Sequence, residues 1–154
     1  MKKQKFEVRR TTEGTAFEIA FVVLAVLVWI YAVIVYNQVP ETIPTHFGPS
    51  GAPDAFGHKS HIFFPSILTT VVGLCLMAGA YFPHTLNLPG VKMANVRQAA
   101  LGVRLMRILG LMMLALTAAI VHDTLHGHVF LLFIVVAAMV LVCVVFTFLI
   151  YKRK

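Results

Sequence analysis

The stretch FEIAFVVLAVLVWIYAVIVY, residues 17–36, decides the fold. It carries a single charge, Glu18, next to its start, and it matches the roughly 20 apolar residues a helix needs to cross a bilayer. Three more blocks of the same kind follow, at about residues 62–82, 101–121 and 129–151, and the only charges inside them are Arg104 and Arg107 near one end. Lipid offers the backbone no hydrogen-bond partners, so such blocks span as helices. The predicted fold class is an all-α integral membrane protein. It is a four-helix transmembrane bundle in one domain, residues 1–154, with a compact loop over residues 37–61 between the first two helices.

Composition agrees. Hydrophobic residues make up 59% of the 154 and charged residues 12%, about half the charge that a soluble domain carries. The first block is longer than the roughly 7–15 residues of a signal-peptide core, and no small-residue cleavage site follows it, so it reads as a retained span. Twelve of the 13 Lys and Arg residues fall on one side of the predicted bundle, and only Lys59 falls on the other. By the positive-inside rule both termini are expected in the cytoplasm. The net charge of +7 therefore reads as a topology signal and a contact with anionic lipid, not as nucleic-acid binding.

Within the spans, Thr15-Ala-Phe-Glu18 fits a capping box at the start of the first helix. Trp29, Tyr31, Tyr36, Tyr81 and Tyr151 read as interfacial anchors. Cys75 and Cys143 fall in mid-span, where buried thiols behave as small apolar residues, and no disulfide framework exists. The Thr69–Gly73 and Cys75–Gly79 spacings allow close helix approach, within the bundle or in a homo-oligomer. No span centre holds Asp, Lys or His, which weighs against an ion or proton transporter. Arg97, Arg104 and Arg107 cluster on one helical side, to snorkel toward lipid headgroups or to meet a cytoplasmic protein.

The polar residues collect on the other face. VPETIPTHFGPSGAPDAFGHK, residues 39–59, holds four of the seven prolines together with His46, Asp54, His58 and Lys59. A 25-residue connection (residues 37–61) exceeds the roughly 12–15 residues beyond which loops are functional or disordered. Its prolines and glycines predict a stiff cap: a short extended piece, ETIPTHF, then tight turns through GPSGAPD. The second connection of that face is VHDTLHGH, residues 121–128. Between them the two connections of that face hold six of the seven histidines, and only His84 is on the expected cytoplasmic side.

Four readings of these groups stand side by side. His46–Asp54 and Asp54–Lys59 pairs could hold the cap shut. The cap could bind a peptide or small ligand. His122, His126 and His128, with His58 and His61, could hold zinc or copper, since imidazole suits both, although no H-E-x-x-H or C-x-x-C pattern occurs. A His–Asp pair could be a general base, but no nucleophile stands out in the loops, so no enzyme and no obligatory cofactor is expected.

Pro40, Ile43, Pro44, His46, Phe47, Gly51, Asp54, Gly57 and Lys59 follow the pattern P-x-x-I-P-x-H-F-x-x-x-G-x-x-D-x-x-G-x-K. This resembles the signature of a bacterial membrane-protein family of undefined function, which forms the N-terminal part of SdpI-type immunity and signalling proteins. The resemblance covers about twenty residues and their placement after a first span. The chain is shorter than full SdpI, and its second half does not resemble the SdpI C-terminal module. The resemblance implies a multi-pass protein of the bacterial inner membrane. Its expected roles are envelope sensing, signal transduction or immunity to a membrane-active peptide, with a peptide ligand outside and a protein partner in the cytoplasm. The alternative is an accessory subunit of a larger membrane complex, with a histidine metal site on the outer face.

Overall fold

The structure, a computed structural model, describes residues 11–82 and 96–152. His84, Lys92 and the basic tail 1–10 lie outside the described residues. Among the described residues four helices are long and apolar enough to cross a membrane, and the chain is a multi-pass membrane protein. The helices are α1 (Thr12–Gln38), α2 (Phe63–Gly79), α3 (Val96–His126) and α4 (Phe130–Lys152).

Helix α1 begins earlier than the Thr15 capping box suggests. Thr11 is the N-cap, and its Oγ1 accepts from the Gly14 amide at 3.1 Å. The Thr15 amide already bonds the Thr11 carbonyl at 2.9 Å, so Thr15 lies within the first turn. Glu18 is released from capping and instead accepts a hydrogen bond from the Tyr81 hydroxyl beyond α2. Helix α1 ends where Pro40 forces its predecessor, Val39, into extended backbone at φ −76°, ψ 151°.

The connection to α2 is more regular than a run of turns. Strands β1 (Thr42–Phe47) and β2 (Pro53–His58) form an antiparallel hairpin, with Thr42 opposite His58 and Phe47 opposite Pro53. The second strand, PDAFGH, is poor in strand-forming residues and was illegible on propensity. Turn chemistry creates it. The Gly51 amide bonds the Gly48 carbonyl at 2.9 Å across Pro49-Ser50, and Gly51 then sits at φ +79°. This is a β-turn followed by a left-handed residue, a standard hairpin closure. Pro53 opens β2, where a missing N–H is tolerated. A 3-10 turn, Lys59–Ile62, leads into α2.

Helix α3 is the axis of the bundle and packs on α1, α2 and α4. Its 31 residues reach about 46 Å at 1.5 Å each, well beyond a hydrocarbon core of about 30 Å. It therefore overruns the expected 101–121 at both ends. Glycine sets the contact between α2 and α3: a Cβ on Gly73 would lie 3.0 Å from the Gly110 carbonyl, and one on Gly110 would lie 3.2 Å from that of Gly73. Beside them Thr69 and Thr117 share a buried hydrogen bond of 2.7 Å. The small-residue face around Gly73 thus packs inside the bundle. On α4 only Ile150 is buried among the described residues, in keeping with an apolar surface against lipid. Cys75 is exposed on the outside of the bundle and is not a buried core thiol.

The hairpin is held to the bundle by one apolar plug. Ile43 is 2% exposed and packs with Ala32, Val35 and Val39 of the α1 end, Ile62 and Val121. Ile43→Ala is expected to weaken hairpin docking by about 2–4 kcal/mol. Hydrogen exchange should show faster exchange over 42–58, with the helical amides unchanged. Unaltered protection of the hairpin would refute the plug.

Candidate functional site

Antiparallel register explains the charges at the hairpin base. With Thr42 opposite His58, Glu41 and Lys59 become neighbours. The Lys59 amide bonds the Glu41 carbonyl at 2.9 Å, and its ammonium meets the Glu41 carboxylate at 2.8 Å. Lys59 also lies 4.9 Å from the centre of the Tyr36 ring, and His58 Nε2 is 3.1 Å from Glu41. The expected Asp54–Lys59 pair is not formed, because Asp54 stands at the far, turn end of the hairpin. There it meets His46 Nδ1 at 2.5 Å, which is the other expected pair. The hydrogen bond from Lys59 holds the Glu41 carboxyl below its ordinary range. A lowered carboxyl adds stability above the unfolded value, about 4.3, and loses it as pH falls through the folded value. Glu41 is 72% exposed, so the pair is screened by water and its contribution is small.

Most of the patterned residues are thus geometric in role. Pro40 stops α1, and Gly51 supplies the left-handed turn. Gly57 lets the hairpin close on the next turn: a Cβ there would lie 2.9 Å from Thr45 Cγ2 and 3.2 Å from the His61 ring. Pro44 and Phe47 face a cavity.

That cavity, of about 410 Å³, lies between β1, the start of α2 and the α3–α4 turn. Ile43, Pro44, Phe47, Ile62, Phe64, Pro65, Ile120, Val129 and Leu132 make its wall mainly apolar, and His61, Asp123 and His128 add polar groups. It has the size and character of a small ligand site.

The α3–α4 turn gathers the three histidines of VHDTLHGH. Helix α3 persists to His126, so His122 and His126 share a face. Gly127, at φ +68°, reverses the chain, and the His128 amide returns to the Asp123 carbonyl at 3.1 Å. This is a Schellman closure, and it lays His128 beside the other two. Ring centroids are 4.2 Å apart for His122–His126, 5.6 Å for His126–His128 and 5.9 Å for His122–His128. One ring nitrogen from each lies within 4.8 Å of the other two, so the trio could hold a metal ion. His58 and His61 are not brought into this group: His58 is turned to Glu41 and Ser60, and His61 lies against Gly57 in the cavity wall.

Asp123 organises the turn and was not picked out from the sequence. Its side chain is 4% exposed. The carboxylate accepts from the Leu131 and Leu132 amides at 3.3 and 2.9 Å, capping the first turn of α4 from outside that helix. It also lies 3.4 Å from His122 Nδ1 and 3.2 Å from His128 Nδ1. The available signal was scarcity: this is one of only six acidic residues in the chain, and it stands between histidines beside a helix start.

The arginine end departs from the expected exposed cluster. Arg104 pairs with Glu13 through Nε and Nη2 at 2.8 and 2.9 Å. Arg107 is 4% exposed and lies under α1, where a Cβ on Gly14 would fall 2.5 Å from its Nη2. Arg97 is exposed. Position explains this: Arg104 and Arg107, one turn apart, both turn toward the start of α1 and away from lipid.

The model of a family described as a domain of unknown function, DUF1648, matches residues 23–70. Those residues take in most of α1, the hairpin and the first part of α2. A protein of Archaeoglobus fulgidus, described as uncharacterized, is 29% identical over 161 residues, which span 92% of this chain and 88% of its own length. No solved structure matches at a significant level. The full-length likeness is to an archaeal protein, whereas the pattern in residues 40–59 implied a bacterial one.

Asp123 and Asp54, both at this end of the molecule, differ in burial, and their replacement should differ accordingly. Asp123→Ala leaves two α4 amides and the His122 imidazole without their acceptor and is expected to lower stability by about 1–3 kcal/mol. Asp54→Ala breaks only the exposed His46 pair, worth about 0–1 kcal/mol. Thermal unfolding of both variants in detergent tests the order. Equal losses would mean that Asp123 does not hold the turn.

Proposed function

We propose that the protein is a non-enzymatic receiver of an amphipathic peptide. In this reading the hairpin and the cavity face the exterior, and both termini face the cytoplasm. The observation that carries it is the mainly apolar cavity of about 410 Å³ between β1, α2 and the α3–α4 turn. A volume of this size takes one or two apolar side chains, and the hairpin edge beside it can pair with an extended backbone. The orientation rests on the positive-inside rule, applied to the twelve Lys and Arg residues that the order of spans in the sequence assigns to the side away from the hairpin.

The same geometry supports a route for a signal. Ile43 of β1 and Val121 of α3 share one buried cluster, and Ile120, Asp123 and Thr124 of α3 line the cavity. Helix α3 then runs unbroken to Arg104 and Arg107, where it grips the start of α1. A ligand that moves the hairpin or the α3 end would bias that grip, and a protein at the cytoplasmic surface could read the change. Sensing and immunity both fit this arrangement. They differ in whether the bound peptide is reported or withheld from the bilayer.

Leu132→Trp fills the cavity from α4. Cells lacking the protein, or carrying Leu132→Trp, are expected to show several-fold altered survival or altered transcription when challenged with membrane-active peptides. Leu132→Met cells should behave as wild type. Identical responses in all four strains, with both variants folded as judged by thermal unfolding, would overturn the proposal.

A further inference from the structure

We propose that His122, His126 and His128 form a binding site for a divalent transition-metal ion, zinc or copper, at the rim of the cavity. This goes beyond the receiver reading and stands whether or not the cavity takes a peptide.

Convergence is the first argument. The three side chains come from two helical turns and a reversal at Gly127, and they place one nitrogen each within 4.8 Å of one another. Three nitrogens around tetrahedral zinc, at about 2.0–2.1 Å from the ion, lie roughly 3.3 Å apart. The difference is small enough to be closed by rotation of side chains at a helix end. His126 and His128 are both well accessible there.

The second argument is where the proton sits on two of the rings. His126 Nδ1 lies 2.9 Å from the His122 carbonyl oxygen, which can only accept. His122 Nδ1 and His128 Nδ1 lie 3.4 and 3.2 Å from the Asp123 carboxylate, which also only accepts when ionised. At His128 the hydrogen bond runs the other way: the Phe130 amide donates to Nδ1 at 3.5 Å, and the 3.2 Å approach to Asp123 is a close charge contact. The His122 and His126 rings are thus directed to carry their proton on Nδ1, leaving Nε2 as a bare lone pair. Metal-binding histidines are prepared in this way: a carboxylate or carbonyl holds one nitrogen and fixes the ring, and the other nitrogen meets the ion.

The third is preorganisation. Asp123 is nearly buried and tied down by two α4 amides, so it cannot swing away to become an ordinary surface carboxylate. An imidazole-only ligand set suits zinc and copper over magnesium or calcium, which take oxygen. Three protein ligands leave a further position open, as in zinc sites that exchange water or a ligand. Asp123 and His128 also line the cavity, so that open position would stand beside it.

The test uses the full-length chain in nanodiscs, purified without a polyhistidine tag. Titration calorimetry with zinc, and visible absorption with cobalt(II) as a spectroscopic substitute, should show one ion per chain. His126→Gln, at an accessible ring, should abolish stoichiometric binding without loss of fold. Asp123→Asn should weaken it by about 10–100-fold. His46→Gln and His58→Gln should bind as wild type. No stoichiometric uptake of zinc, copper or cobalt by the wild-type chain would overturn the proposal, as would uptake that survives His126→Gln or depends instead on His46.

Discussion

A carboxylate with 4% of its surface exposed must be satisfied where it stands, and the hairpin end of this protein is arranged around that need at Asp123. Its two α4 amides lie at the positive end of a helix dipole, and the two imidazoles beside it both approach one of its oxygens, Oδ1. Removing any one partner leaves charge poorly compensated close to lipid. The Gly127 reversal, the start of α4 and the placement of His122 and His128 are thus one cooperative unit. The exposed pairs of the hairpin, His46–Asp54 and Lys59–Glu41, are of a different kind: water screens them, and they guide the fold more than they hold it.

The hairpin depends on this unit only through packing. Ile43 inserts between the ends of α1, α2 and α3, and the cavity is the space left where β1 meets the α3–α4 turn. Two devices of opposite character therefore share one end of the molecule, an apolar socket under a stiff hairpin and a polar histidine cluster on a capped helix turn. At the other end, Arg107 is buried under Gly14, and Arg104 clasps Glu13. Helix α3 reaches both, and α1 runs beside it from the arginine clasp to the Ile43 plug.

The helices were legible because lipid imposes a length and a composition that no other environment requires. Their ends were less so. Thr15-x-x-Glu18 and Thr11-x-x-Gly14 both offer a start, and the choice falls to Glu18 meeting Tyr81, 63 residues away. The hairpin was half legible: prolines and glycines announced turns, but β2 is made by register against β1, not by its own propensities. The same register exchanged Asp54 for Glu41 as the partner of Lys59. Within the site, His122 and His126 follow from helical spacing, whereas His128 joins them only through the left-handed Gly127. Asp123 was hidden because its decisive partners are backbone amides, which leave no mark in a sequence.

The central claim is that Asp123 and the His122 carbonyl hold the protons of the His122 and His126 rings on Nδ1. Long-range nitrogen–proton correlation spectra of the full-length chain in nanodiscs at neutral pH read this directly. Nδ1-protonated tautomers are expected at His122 and His126, and Asp123→Asn should release His122 while leaving His126 unchanged. Rings protonated on Nε2 at positions 122 and 126 of the wild-type protein would contradict it.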